Sequence, residues 1–345
     1  MIAERLGVSV QTVSNVLQNT GRVAAATAER VQKVASEMGY VPNAGAQALR
    51  GKSTKTLSFI LSDPVLTTTP SAYLGFLIPV VASAIREAGF TPSIQFADDT
   101  DIDAALLPAR QGLVDGVLLL ANRLDAAQIE AISRLPIPIA LFEREAPVGT
   151  LPYVTTNATE GVASAVRHLH AQGARRIAYL DGRPHWPMTT SVRRFEGFNQ
   201  AIEELGLPKL PAIEGNWQFE SGVAAFETML ARGGMPEAVV CANDQMAVGF
   251  LKAAQRHGVK VPADLLVTGF DDLEFARYTT PQLTSVRLPL ADMSRGAAAL
   301  LTSMISGGGV PGGHQSSYPA ELIIRESSTR HFYHDNEHWR RVANA

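Results

Sequence analysis

The chain has 345 residues, of which 46% are apolar and 18% charged, with a formal net charge of −3. That length exceeds one ordinary core and implies two or three domains, and the composition excludes a disordered chain. The charge excludes a global basic field, so any contact with nucleic acid has to come from a local patch. One cysteine, Cys241, excludes an internal disulfide framework and suits a reducing cytoplasm. No basic segment followed by an apolar run opens the chain as a secretory signal would, and no apolar stretch reaches membrane-spanning length.

The first 52 residues carry Arg5, Arg22, Arg30, Lys33, Arg50 and Lys52 against Glu4, Glu29 and Glu37, a basic end on an otherwise acidic chain. Residues 1–42 read as short helices. In "IAERLGVSVQTVSNVLQN", Gly7 suits a left-handed turn and Ser9 suits the N-cap of a second helix. On that helix Val13, Val16 and Leu17 share one face and can pack on Ile2, Ala3 and Leu6, while Val10, Gln11, Ser14 and Asn15 lie away from it. This spacing fits a helix-turn-helix, and it equally fits an ordinary capped amphipathic helix. A third helix over Ala24–Met38 ends at Gly39. "NAGAQALRGKS" then reads as a marginal helix or a linker.

From Thr56 the pattern becomes strand–helix alternation. "TLSFIL", "TPSIQFA", "VDGVLLL", "IPIALF", "RIAYLDG", "LPAIEGN", "AVVCAN" and "LLVTGFD" read as strands, with helices between them. Pro79 is an awkward residue inside the helix at 72–90, and "IDAALLPARQG" reads as one helix with another odd proline. The alternation predicts parallel sheets covered by helices on both faces, and its length predicts two lobes. "LPYVTTNATEG" (151–161) is expected to cross between lobes, as is the segment after Thr280. "SGGGVPGGHQSS" (306–317) reads as a flexible loop, and 331–345 as a polar tail.

Several long motifs in order then carry a resemblance. "GVSVQTVSNVLQN", "RVAAATAERVQKVASEMGYVPNAGAQALR", "GARRIAYLDG", "RRFEGF", "VVCANDQMAVGFLKAAQRHGVKVPADLLVTGFDD" and "PQLTSVRLPLADMSRGAAALL" resemble the LacI/GalR family of sugar-responsive repressors from Ile2 to about Arg325. The resemblance implies a small all-α helix-turn-helix head over 1–42, a hinge helix or linker over 43–53, and a two-lobed effector and dimerisation domain over 54–330. Lobe 1 would take about 54–157 and 286–316, lobe 2 about 158–285 and 317–330. The lobes would resemble periplasmic sugar-binding proteins, each built on a parallel sheet flanked by helices.

It also implies roles. Val10 and Gln11 would be the specificity pair in the major groove, with Asn15 at a third base-reading position where arginine is frequent, which favours adenine or backbone over guanine. Ser9, Thr12, Ser14 and Asn19 would hold phosphates. Leu49 matches a leucine wedged into the minor groove, with Asn43 and Arg50 near phosphates. Ala24 stands where the family usually has a cap, Ala28 where it has a basic residue, and Gly45 weakens the hinge. Family members carry residues before Ile2, so the head is expected to be truncated and weak. Between the lobes, the resemblance implies ligand contacts from Tyr73, Asn157, Arg194, Trp217, Asn243 and Asp271, with Asp63, Arg123, His185 and Trp186 as weaker candidates. Asp244 and Asp272 fit helix caps, and Arg193 a surface arginine. "PSAY" replaces the family's Asn-Pro-Phe-Phe, and Asn157 stands where aspartate is common.

No cofactor, metal site or catalytic centre is expected. His168 and His170 point apart on a helix, and neither a Gly-x-Ser-x-Gly elbow nor a P-loop is present. The expected protein is a cytoplasmic homodimeric repressor of double-stranded operator DNA, without membrane contact and controlled by a small sugar or sugar derivative. A nucleoside or purine effector and a stand-alone sugar-binding protein are the alternatives. Induction and co-repression both remain open.

Overall fold

A computed structural model describes residues 1–17, 21, 23–40, 53–62, 71–97, 102–121, 123–182, 189–308 and 314–330. The expected roles of Asn19, Asn43, Leu49, Arg50, Asp63, His185 and Trp186 fall outside these residues, as do most of the hinge and the tail.

The head is three helices, α1 (Ile2–Leu6), α2 (Val10–Leu17) and α3 (Ala25–Glu37). Gly7 ends α1 at φ 64, a left-handed conformation that glycine adopts without steric cost. Ser9 Oγ accepts the Thr12 amide at 3.0 Å and satisfies a donor that the helix start leaves orphaned. Ile2, Val13, Val16, Val31 and Ala35 form the buried centre of this small unit. α3 starts at Ala24 without a side-chain cap. A capping Ser, Thr or Asp there would add about 1 kcal/mol.

The rest of the chain builds two six-stranded sheets. The first contains β1 (Thr56–Ser62), β2 (Thr91–Ala97), β3 (Gly116–Ala121), β4 (Ile139–Phe142), β5 (Tyr153–Thr156) and β11 (Gln315–Tyr318), in the order β11-β5-β4-β3-β1-β2 and all parallel. The second contains β6 (Ile177–Asp181), β7 (Ile213–Glu214), β8 (Ala238–Cys241), β9 (Leu266–Asp271), β10 (Thr284–Arg287) and β12 (Glu321–Ile323), in the order β12-β10-β9-β8-β6-β7. Only the β10–β12 pair is antiparallel among these ladders. Strands with apolar residues on both faces need helices on both sides. In β1, Leu57, Phe59 and Leu61 join one buried cluster and Ile60 another.

The first lobe's helices are α4 (Ala72–Glu87), α5 (Ile102–Ala105), α6 (Leu107–Arg110), α7 (Ala126–Ser133) and α12 (Leu290–Ile305). The second lobe's are α8 (Ala158–Ala171), α9 (Thr189–Glu204), α10 (Phe219–Ala231) and α11 (Asp244–Arg256). Among the described residues, no helix is long and apolar enough to cross a membrane.

Three differences from the sequence reading have physical causes. Pro79 sits inside an unbroken α4, whereas "IDAALLPARQG" splits in two because Pro108 occupies the first turn of α6. The "HQSS" end of the segment read as a flexible loop is largely strand, since Gln315–Tyr318 pair with β5 as an edge. The chain crosses back and forth slightly later than at 285 and 316: Arg287 still pairs with Asp271, and Tyr318 with Thr156. At the crossings, Asn157 N donates to Tyr318 O at 3.0 Å and Thr156 Oγ1 to the same carbonyl at 2.9 Å. Two of the three connections are thus tied to each other.

Candidate functional site

On the head, Val10 is 75% exposed and Gln11 is exposed beside it. Gln11 Nε2 donates to Asn15 Oδ1 at 2.9 Å, one helical turn away, so the two amides share one face of α2. Ser9 and Thr12 hydroxyls bond each other at 2.8 Å. Ser14 is half-buried on the same helix.

The second set of residues gathers between the lobes, at the carboxyl edges of the sheets, where open α/β sheets bind ligands. Arg194, on α9, is 7% exposed. Its guanidinium donates to Ala242 O at 2.5 Å and to Asp271 Oδ1 at 3.4 Å. It lies 3.8 Å from the Phe270 ring centroid and 5.5 Å from that of Trp217. Burial raises the Asp271 carboxyl to about 7, with Arg194 opposing and Glu143 reinforcing the rise.

Trp217 is packed on Gly182, where any Cβ would fall 2.2 Å from the indole. Only glycine leaves that space. Asn243 Nδ2 donates to Trp217 O at 3.0 Å, and Asn243 Oδ1 accepts from Met246 N at 2.9 Å. Asn243 therefore caps α11 and holds the tryptophan loop. Facing this from lobe 1, Tyr73 in the first turn of α4 donates its hydroxyl to Glu143 Oε1. Burial raises the Glu143 carboxyl, against the Tyr73 bond and Arg194. Glu143 (φ 57), Trp217 (φ 70) and Asp271 (φ 108) all occupy the left-handed region that side chains avoid. Such strain persists only where the surroundings enforce it, and it collects at functional sites.

A narrow opening of about 20 Å3 runs along the crossing segments, lined by Glu143, Glu145, Thr155, Thr156, Arg193 and Arg194 among others. Two contacts join the lobes. Arg193 pairs with Glu145 of lobe 1, and Ala72 N donates to Gln245 Oε1 at 3.2 Å.

Four assignments change. Arg193 is a bridge between lobes and not a plain surface arginine. Asp244 does not cap α11: its carboxylate accepts from Ser285 Oγ at 2.6 Å and Leu273 N at 2.8 Å, tying the helix start to β10. Asp272 is no cap either, since it holds Arg287 at 2.8 Å and Arg325 at 2.5 Å. Asn157 is exposed and caps α8 through Glu160 N at 3.1 Å. Arg123 is also exposed, in the turn after β3. Glu143, Glu145 and Gln245 were missed, because "FERE" and "NDQ" carry no spacing that points across a cleft.

Comparison with known proteins agrees with this geometry. Two family models match: bacterial regulatory proteins, lacI family, over residues 2–43, and a periplasmic binding protein-like domain over 166–328. The HTH-type transcriptional regulator DegA of Bacillus subtilis (strain 168) is 31% identical over 339 residues, 95% of this chain and 97% of that protein. The HTH-type transcriptional repressor CytR of Escherichia coli (strain K12) is 32% identical over 339 residues, 95% of each. The lac repressor dimer bound to operator and the anti-inducer ONPF superposes with a TM-score of 0.84 at 26% identity, over 95% of this chain and 98% of that one. The transcriptional regulator CelR–cellobiose complex gives 0.72 at 29% identity, with the same coverage.

A helix-turn-helix head on a two-lobed, periplasmic-binding-protein-like body defines a class of ligand-responsive transcriptional regulators, which are not enzymes. The chain belongs to the LacI family of that class.

Proposed function

We propose that this regulator is a cytoplasmic repressor that binds a pseudo-palindromic operator as a homodimer and is controlled by a small sugar or sugar derivative held between its lobes. In this reading residues 1–42 are the DNA-binding head, 43–53 the hinge, and 54–330 the effector and dimerisation domain. Val10, Gln11 and Asn15 read bases while Ser9, Thr12, Ser14, Asn19, Asn43 and Arg50 hold phosphates and Leu49 enters the minor groove. The exposed Val10 and the Gln11–Asn15 pair support the first part of that assignment.

The observation that carries the effector half is the buried Arg194, fixed between Asp271, the Ala242 carbonyl and two aromatic rings at the lobe interface. A guanidinium so oriented presents fixed donors to adjacent hydroxyls, and Trp217 offers a flat apolar face to a sugar ring. Asn243 acts through Trp217. The dimer reading is supported by Phe76 on α4, Phe96 on edge strand β2 and Leu107 on α6, all large apolar side chains left exposed on lobe 1. Ligand binding stabilises one lobe arrangement and shifts the population able to hold DNA.

One paired experiment tests this reading. The full chain is titrated onto DNA from its own promoter region, and screened by thermal shift with sugars, sugar derivatives and nucleosides. A true effector at about 100 times its Kd adds about 2.7 kcal/mol of stability and changes DNA affinity. Arg194→Ala keeps DNA binding but loses both responses. If only nucleosides act, the sugar assignment gives way to a nucleoside sensor. Absence of DNA binding defeats the repressor reading.

A further inference from the structure

The turn that carries Asp271 out of β9 is held from behind. Asp271 (φ 108) and Asp272 (φ 51) are consecutive residues in the left-handed region. Residues with side chains stay there only where their surroundings enforce it. Around Asp272 the enforcement is specific. Its side chain is 1% exposed, and its two carboxylate oxygens take one arginine each, Arg287 Nε at 2.8 Å and Arg325 Nη2 at 2.5 Å. Its amide donates to Ser285 Oγ at 3.0 Å. Arg325 is fixed in turn by donating from Nη1 to the Leu283 carbonyl at 2.6 Å. A carboxylate buried in this way does not move alone, because breaking one pair leaves a buried charge short of its partner. Both arginines sit beside the connections between the lobes. Arg287 is the last residue of β10; the next residue, Leu288, lines the interlobe opening, and α12 of lobe 1 starts at Leu290. Arg325 follows β12, the strand that the chain enters after leaving β11 of lobe 1. Asp271 thus faces Arg194 in the cleft while the residue after it grips two connections.

We infer that Asp272 is a positioning residue that couples Asp271 to two of the three connections between the lobes, so that occupancy of the cleft changes the lobe arrangement through it. It does so without touching the ligand, since its side chain is closed off from solvent. A ligand that draws on the Asp271 carboxyl tilts a two-residue turn with little freedom to absorb the movement. The tilt passes to Arg287 and Arg325, and through them to the segments that feed α12 and leave β11. An Asp272 with a purely structural role would stabilise lobe 2 and leave the response to ligand unchanged.

The inference rests on the reading of the interlobe cleft as an effector site, and the test separates the two. The full chain is screened by thermal shift with glucose, galactose, cellobiose, adenosine and uridine. For each probe that binds, two quantities are measured: its Kd by calorimetry, and the factor by which it changes affinity for DNA from the chain's own promoter region. Arg287→Gln cuts one connection while Arg325 still holds Asp272, and Arg287 is exposed enough, at 40%, to tolerate the change. The probe's Kd should stay within about twofold while the factor shrinks by about threefold or more. Arg287→Lys, which keeps the charge, should regain part of the factor. Asp272→Asn should shrink it at least as much, and adding Arg287→Gln to Asp272→Asn should cost nothing further, because residues on one route are not additive. Glu321→Gln removes the other partner of Arg287, a long and exposed pair at 3.8 Å, and should leave the factor unchanged. A full factor in both Arg287→Gln and Asp272→Asn, with only the melting temperature lowered, overturns the inference and leaves the effector site standing. If Asp272→Asn does not fold, a full factor in Arg287→Gln is sufficient to overturn it. An equal loss in Glu321→Gln also overturns it, by assigning the effect to the exposed pair. No binding by any of these probes, or binding that survives Arg194→Ala, overturns the effector-site reading and this inference together.

Discussion

Asp271 shows what a single buried carboxyl does to the whole chain. Its carboxyl faces Arg194 from α9 and feels Glu143 from lobe 1, and it in turn adds to the rise that burial imposes on the Asp244 carboxyl at the start of α11. With a folded value near 7 and an ordinary value of 3.8, the folded state binds the proton more tightly than the unfolded chain. The stabilising contribution is therefore complete below about 4 and is lost as pH rises through 7. Glu143 and Asp244 shift in the same direction. Melting temperature followed across pH 4 to 8 should fall more steeply in the unaltered chain than in Asp271→Asn. Parallel curves would show that Asp271 does not titrate in that window. The same residue marks how much of the site could be read in the sequence. Arg194 and Asp271 stood out because each lies in a motif whose strand or helix context is local, and Trp217 through the family resemblance alone. Glu143 did not, because its role depends on a backbone turn with φ 57 and on a tyrosine seventy positions earlier. Asn243 took the capping role expected of Asp244 for a similar reason: either side chain can cap a helix, and only the tertiary partners Ser285 and Leu273 decide that Asp244 is occupied elsewhere.

At the scale of elements, the long strands and helices were legible from their apolar runs, and the short strands at one margin of each sheet were not. The outer two strands there, β11 and β5 in one sheet and β12 and β10 in the other, have at most four residues each, several of them polar, and they form because a neighbouring strand offers its edge. The entry of the chain into lobe 1 depends on a similar long-range partner. Asp115, just before β3, accepts from Thr54 N at 2.7 Å, Thr54 Oγ1 at 2.9 Å and Lys55 N at 2.9 Å, and also from Ser53 Oγ at 2.5 Å. One carboxylate thus fastens Ser53, Thr54 and Lys55 to the sheet. Hydrogen bonds to a charged acceptor are worth more than neutral ones, so Asp115→Ala should cost about 2 kcal/mol in urea unfolding. Its more telling effect lies on coupling. In the proposed reading, movement of lobe 1 would reach residues 43–53 through Ser53–Lys55, so the variant should bind effector with unchanged affinity while the effector alters DNA affinity less. Full coupling in Asp115→Ala would mean that lobe motion reaches the head by another route.

In the proposed mechanism the lobes exchange between two arrangements: the crossings tied near Tyr318 would serve as the pivot, and contacts across the cleft would favour one arrangement. Arg193–Glu145 and Ala72–Gln245 both join lobe 1 to lobe 2. They differ in character. The ion pair is more than a third exposed on both sides, 44% and 37%, so its worth is less than about 1 kcal/mol and falls with salt. The amide contact is neutral and supplied by the start of α4, so salt leaves it largely intact. A ligand that binds the joined arrangement has its apparent affinity scaled by the population of that arrangement. Glu145→Gln removes the charge and leaves the Arg193–Glu196 bond on α9. Its apparent effector affinity should therefore drop by up to about fivefold at low ionic strength. The unaltered protein should converge on the variant near 0.5 M salt, where the screening length is only about 4 Å. Calorimetric titration of both proteins across a salt series measures this. Equal affinities at every ionic strength would assign the lobe arrangement to the neutral contacts and the pivot alone. A gap that persists at high salt would mean that Glu145 touches the ligand itself.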